Sequence, residues 1–320
     1  MRAGLEYQEI HRGGQTSWWR ALIGVFVLLL NFLGFMLFPL VLIALFTVYF
    51  VSQGDTYDQA IQHFTGDTVT PASLAFLNLA LASAIPTVMI LTYVLHGWLK
   101  PGWVASVVGR VRWGWLAICL FLSVLALLAT LIVSALLPSA GDAGDVGGHL
   151  NPWTSTTGQF LLVIVFLTPL QAAGEEYAFR GYLTQAVGGL FRKRWVAVVV
   201  PALLFALAHG AQDAPVFFDR FAFGLVAGVL VIMTGGLEAG IAMHVLNNFL
   251  AFGLALLFGD MTDTLNASGG SWWMIPSTLT QSLVYLALVT YVARRLRIAT
   301  RTSGEAAEGA TELVGQTPSV

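Results

Sequence analysis

Glu175, Glu176 and Arg180 lie in the stretch Gly174-Glu175-Glu176-Tyr177-Ala178-Phe179-Arg180, within an otherwise apolar run. Residues four apart on a helix are neighbours, and an acid N-terminal to a base is the favourable order for an ion pair. Glu176 and Arg180 have that spacing. Glu175 is rotated about 100° away and is left over. A carboxylate without a cationic partner is free to take and return a proton, which is the work of a general base or acid. The same three residues could instead form a buried charge network that holds helices together.

His209 ends the run Phe205-Ala206-Leu207-Ala208-His209. His244 and Asn248 are four apart and share a helix face, with Asn247 beside it. Each group has a plainer reading, an interfacial histidine or an interhelical hydrogen bond. Depth favours chemistry. Counted inward from the nearest basic or turn residue at about 1.5 Å per residue, Glu175 lies about 25 Å deep, His209 about 22 Å, His244 about 12 Å and Asn248 about 18 Å. All four then sit within a hydrocarbon layer about 30 Å thick.

One cavity lined by these groups would support a definite reaction. A carboxylate beside an imidazole can activate a water. A second imidazole and a carboxamide can donate hydrogen bonds to a developing oxyanion. No serine or cysteine nucleophile adjoins the group, and no HExxH motif occurs. The sequence therefore points to hydrolysis by activated water, most naturally of an amide bond.

These residues must be carried by membrane helices. Of 320 residues, 57% are hydrophobic and only 10% charged, against about 25% charged in an average soluble domain. Mean hydropathy is +0.78. A net charge of −2 leaves no basic footprint for nucleic acid. Cys119 is the single cysteine, so no internal disulfide can form. The first apolar run, Ala21 to Val51, exceeds the length of a signal-peptide core and reads as a retained span.

Eight candidate spans emerge, at about 21–51, 72–98, 115–137, 157–180, 195–209, 216–234, 237–258 and 277–293. The first is overlong and carries Asn31 and Pro39, which predicts a kink or tilt. The fifth is short. With alternate loops assigned to the cytoplasm, those segments hold 13 of the 15 basic residues. They are Arg2, Arg12 and Arg20; Lys100, Arg110 and Arg112; Arg192, Lys193 and Arg194; and Arg294, Arg295, Arg297 and Arg301. The opposite loops hold none but carry aspartates such as Asp142 and Asp145. This positive-inside pattern predicts an even number of spans, both termini in the cytoplasm and a multi-pass protein of the cell membrane. All ten tryptophans fall near span ends, as an aromatic belt requires. Gly224/Gly228 and Gly236/Gly240 have the spacing that lets helices approach closely.

The motifs resemble a known family. Glu175 to Arg180 is similar to the EExxxR motif of the CPBP intramembrane proteases, also called the ABI or CAAX-protease family. Phe205 to His209 resembles its FxxxH motif, and His244 to Asn248 its HxxxN motif. Order and spacing also fit, over residues 157–253. The resemblance implies an all-α polytopic membrane fold and glutamate-dependent peptide hydrolysis. It assigns Glu175 as the carboxylate that activates water and His209 as its partner. His244 and Asn248 would form the oxyanion site, and Glu176 and Arg180 would position Glu175. Residues 1–155 would supply three helices and an external loop, 156–253 the catalytic core, 254–300 the last span and its basic stop, and 301–320 a disordered cytoplasmic tail.

The partners expected are membrane lipid and a membrane-associated protein or peptide substrate. No cofactor is required by this chemistry, although Glu175, His209 and His244 could ligate zinc. A non-catalytic immunity or scaffold protein of the same fold is the alternative from another class, and a proton-coupled transporter is a third. Asp219 and Arg220 are adjacent, so they do not face each other on a helix. They could snorkel to the outer interface, or Arg220 could line the cavity.

Overall fold

The structure, a computed structural model, describes residues 1–136, 149–191, 193–210, 213–265 and 270–304. Arg192, the loop aspartates Asp142 and Asp145, and the tail from 305 onward lie outside the described residues. The apolar runs become helices because hydrocarbon offers no partner to an open backbone N–H or C=O. The elements are α1 (Trp18–Phe32), α2 (Leu37–Ser52), α3 (Tyr57–Thr65), α4 (Pro71–Ala82), α5 (Ala84–Leu95), α6 (Trp113–Ser134), α7 (Ser155–Glu175), α8 (Thr184–Leu190), α9 (Arg194–Ala208), α10 (Ala214–Thr234), α11 (Glu238–Phe258), α12 (Met261–Leu265) and α13 (Met274–Arg295). A π-helical segment, Glu176–Leu183, joins α7 to α8. The chain is an all-α polytopic membrane protein, and among the described residues there is no β-strand.

Among the described residues, seven helical stretches are long and apolar enough to cross a membrane, one fewer than the eight runs in the sequence. The difference is α9. Its 15 residues reach about 22 Å, short of the roughly 30 Å of hydrocarbon. It is instead packed against α10. A Cβ on Gly224 would stand 3.0 Å from Ala202 Cα, and one on Gly228 would stand 3.0 Å from Val198 Cγ1. The glycine spacing thus serves close approach.

The first long stretch breaks at Leu33–Met36, where Gly34 adopts φ +84°. Pro39 causes no break, because it lies in the first turn of α2, where backbone N–H groups lack helical partners anyway. Asn31 fixes the break from the inside. Its amide donates to Ser83 Oγ at 3.0 Å, and its carbonyl accepts from Thr87 Oγ1 at 2.8 Å. Ser83 is itself the junction of α4 and α5. On the far side of α4, Gly174 lets α7 come so close that a Cβ there would meet Ala82 Cα at 2.7 Å. Tyr285 on α13 ties α6 to α11, donating to Cys119 O at 3.2 Å and Ala239 O at 3.0 Å.

The basic segments converge on one end of the bundle. Glu6 accepts from Arg194 Nε at 2.6 Å and from Arg301 Nη2 at 2.7 Å. Arg12 donates to Gly188 O and Gly189 O at 2.9 and 3.0 Å. Arg112 makes a two-pronged pair with buried Glu238 at 2.6 and 2.9 Å. Thr302, expected at the start of a disordered tail, is anchored: its N–H donates to Leu5 O at 2.9 Å. Leu5 and Thr302 therefore meet at this end. Trp115 departs from the aromatic belt, being buried in the core rather than exposed at a span end.

Candidate active site

The site begins where α7 widens. Glu175 closes α7, and the next eight residues, Glu176–Leu183, wind as a π-helix in which every residue is buried. Such wide turns recur at functional sites because they re-aim side chains that a regular helix would space evenly. Here Glu176 and Glu175 point to different surroundings.

Glu176 faces the protein interior and is fully buried. Its Oε1 accepts from Arg180 Nη1 at 2.9 Å and from His244 Nδ1 at 2.9 Å. The ion pair expected from the four-residue spacing is thus formed. The rest of the Arg180 guanidinium lies against aromatic faces, 4.1 Å from the Phe205 ring centroid and 5.6 Å from that of Phe223. Ring quadrupoles attract the cation where no further acceptor is at hand. Gly240 on α11 makes room for this cluster, since a Cβ there would stand 2.7 Å from Glu176 Oε2.

Glu175 faces a cavity of about 360 Å³, whose wall also includes His209, His244 and Asn248. All four candidate reacting groups therefore border one space, while Glu176 and Arg180 stand behind its wall. Glu175 is not without a partner, contrary to the expectation from spacing. Its Oε1 accepts from Gln171 Nε2, and its Oε2 lies 3.9 Å from His244 Nε2. Gln171 Oε1 accepts from Asn248 Nδ2 at 2.8 Å. One glutamine thus links the carboxylate to the carboxamide across two helices.

His209 follows the end of α9. Its Nδ1 is 2.8 Å from Phe205 O, and its ring meets Phe205 edge to face at 4.7 Å. Phe205 carries the Arg180 cation on its face and the His209 ring nearby. The FxxxH spacing therefore joins the buried ion pair to the cavity wall.

Sequence reasoning missed Gln171. A signal existed, because a glutamine four residues before Glu175 shares its helix face. Asp219 and Arg220 both line the cavity. Asn247 lines it too, beside Asn248.

Among the described residues, no three His, Cys, Asp or Glu side chains group closely enough to hold a metal ion.

One segment, residues 157–250, matches the family described as Type II CAAX prenyl endopeptidase Rce1-like. It runs from the start of α7 to the middle of α11, so it holds every candidate residue above. A protein of Bacillus subtilis (strain 168), known as uncharacterized protein YyaK, is 25% identical over 146 residues. The match covers 42% of this chain and 49% of YyaK, so the chain spans about half the length of that relative. No solved structure matches the chain.

Proposed function

We propose that this chain is an intramembrane endopeptidase that hydrolyses a peptide bond with water activated by Glu175. The observation that carries the reading is that Glu175 on α7, His209 at the end of α9, and His244 and Asn248 on α11 border one cavity in an apolar bundle. The family match over residues 157–250 supports it.

In this reading a water in the cavity gives a proton to Glu175, and its oxygen bonds to the substrate carbonyl carbon. His209 orients that water through Nε2, since Nδ1 is held by Phe205 O. The carbonyl oxygen becomes an oxyanion. Asn248 donates to it from its amide. His244, its Nδ1 held by Glu176, presents Nε2 to it. The C–N bond then breaks as the leaving nitrogen takes the proton from Glu175. Glu176 and Arg180 do not touch substrate; they fix the His244 ring and the turn that aims Glu175. Donors preset where charge develops contribute the most when water is excluded. The substrate is a membrane-associated protein or peptide, reached among the lipids of a cell membrane. The basic end with both termini faces the cytoplasm.

The test compares protein termini in membranes of cells carrying wild type or Glu175→Gln at matched abundance. Termini that appear only with wild type are expected, and they would identify the substrate. Identical termini with both proteins folded would favour a non-catalytic immunity or scaffold role instead.

A further inference from the structure

Arg220 takes no part in the chemistry above. It sits on α10 and lines the same cavity as Glu175 and His209. Its Nε is buried with no acceptor. Asp219 precedes it and acts on it through space, but neighbouring helix residues point about 100° apart. Arg180 shows the contrast, because its guanidinium is tied to Glu176 at 2.9 Å. A cation with an open donor within a membrane bundle is costly and marks a path for substrate or ions.

Resting on the peptidase reading, we propose that Arg220 anchors a carboxylate of the substrate close to the bond that is cut. A guanidinium can meet a carboxylate with two parallel N–H donors, so the contact fixes position as well as charge. The distance suits a nearby group. Arg220 is three residues from Phe223, about 4.5 Å of helix rise, and the Phe223 ring lies 5.2 Å from that of His244. An extended peptide covers about 3.3 Å per residue. The carboxylate therefore belongs one to three residues from the scissile bond. Either the end of the substrate chain or an aspartate or glutamate side chain could supply it.

The experiment uses the full chain in lipid nanodiscs and a synthetic peptide library in two forms, free acid and C-terminal amide. Cleavage by wild type, Arg220→Lys, Arg220→Gln and Glu175→Gln is read by mass spectrometry. Sites with a carboxylate at a fixed short distance are expected for wild type, with kcat/KM down at least about tenfold in Arg220→Gln, mainly through KM. Arg220→Lys keeps the charge but not the fork, and falls between. Loss of cleavage on amidation identifies the chain end. Survival of cleavage, with acidic side chains enriched, identifies the side chain. The same peptides cleaved equally by wild type and Arg220→Gln, with no carboxylate preference, overturn the proposal. Retention of free peptides on immobilised Glu175→Gln protein, with and without Arg220→Gln, decides it independently of cleavage. Arg220-dependent retention without cleavage would retire the peptidase reading and keep the anchor; equal retention would retire the anchor. Both Arg220 variants should also unfold no sooner than wild type, whereas a structural arginine would lower that transition.

Discussion

The imidazole of His244 meets Glu176 through Nδ1 at 2.9 Å, while its Nε2 stands 3.9 Å from Glu175. One ring therefore touches both carboxylates of the EExxxR turn, one behind the cavity wall and one in front. Position and reactivity are coupled through a single side chain, and its replacement should show both effects.

His244→Ala should lower kcat by about 10²–10³-fold, the usual loss for an oxyanion donor, and also lower thermal stability, because Glu176 loses a buried donor. Asn248→Ala should lower kcat similarly with little change in stability, since its bond is to the adaptable Gln171 side chain. Cleavage assays paired with thermal unfolding in detergent would separate the two. Equal stability of both variants would show that the Glu176 contact carries no weight.

Glu175→Gln should abolish measurable cleavage, with a loss of about 10²–10⁴-fold expected for a general base. Its unfolding transition should match wild type, because glutamine preserves the shape and a hydrogen bond to Gln171. Residual cleavage at wild-type rate would exclude Glu175 as the base.

Glu176→Gln and Arg180→Met each leave one buried charge alone, at a cost of about 3–5 kcal/mol. The double variant should cost less than the two singles together, since neither charge then stays stranded. Unfolding midpoints of the three variants at fixed detergent check this. Simple additivity would mean that the pair is not coupled.

Gly240→Ala places a Cβ 2.7 Å from Glu176 Oε2. Overpacking of this kind typically costs about 1–3 kcal/mol. Activity should drop through the tilt forced on Glu176 and His244, although no reacting group is changed. Unchanged turnover in Gly240→Ala would show that the cluster has room to yield.

The N-terminal segment should loosen in acid. Burial pushes the His11 imidazole well below its ordinary value of 6.5, with His96 stacked against it at 3.6 Å. The hydrogen bond from Arg194, above all, holds the Glu6 carboxyl below its ordinary 4.5. Both groups bind fewer protons folded than unfolded, so stability rises with pH. The His11 contribution is complete above pH 6.5 and declines below it. The Glu6 contribution is complete above pH 4.5 and is lost as pH falls through its lower folded value. Limited proteolysis of residues 1–16 should be faster at pH 5 than at pH 7.5, and His11→Phe should flatten that difference.

What the sequence made legible follows from what a membrane imposes. Long apolar runs, basic residues gathered at one end and charges placed among apolar neighbours each cost energy unless they have a purpose, so they stand out. Glu175, His209 and His244 were readable for that reason, and Asn248 through its four-residue spacing from His244. Gln171 was not, because its role depends on Asn248 on another helix. The shortness of α9 was legible, but it still read as a span, because apolar residues serve packing against Gly224 and Gly228 as well as they would serve lipid. Trp115 was misread because an indole near a predicted boundary faces lipid or core according to helix rotation alone. The break before α2 was read through Asn31 and Pro39; Asn31 braces it, whereas the chain turns at Gly34 rather than at Pro39.

The π-helical turn from Glu176 to Leu183 makes the length of this segment part of its information. Deleting Ala178 would remove no hydrogen-bonding side chain and no charge. It would nevertheless let the turn close with the tighter spacing of an ordinary helix, changing the angle between Glu175 and the residues that follow. A related chain could keep each glutamate, histidine and asparagine and still have lost the site through a single missing residue. Gaps in this stretch therefore say as much about activity as substitutions do.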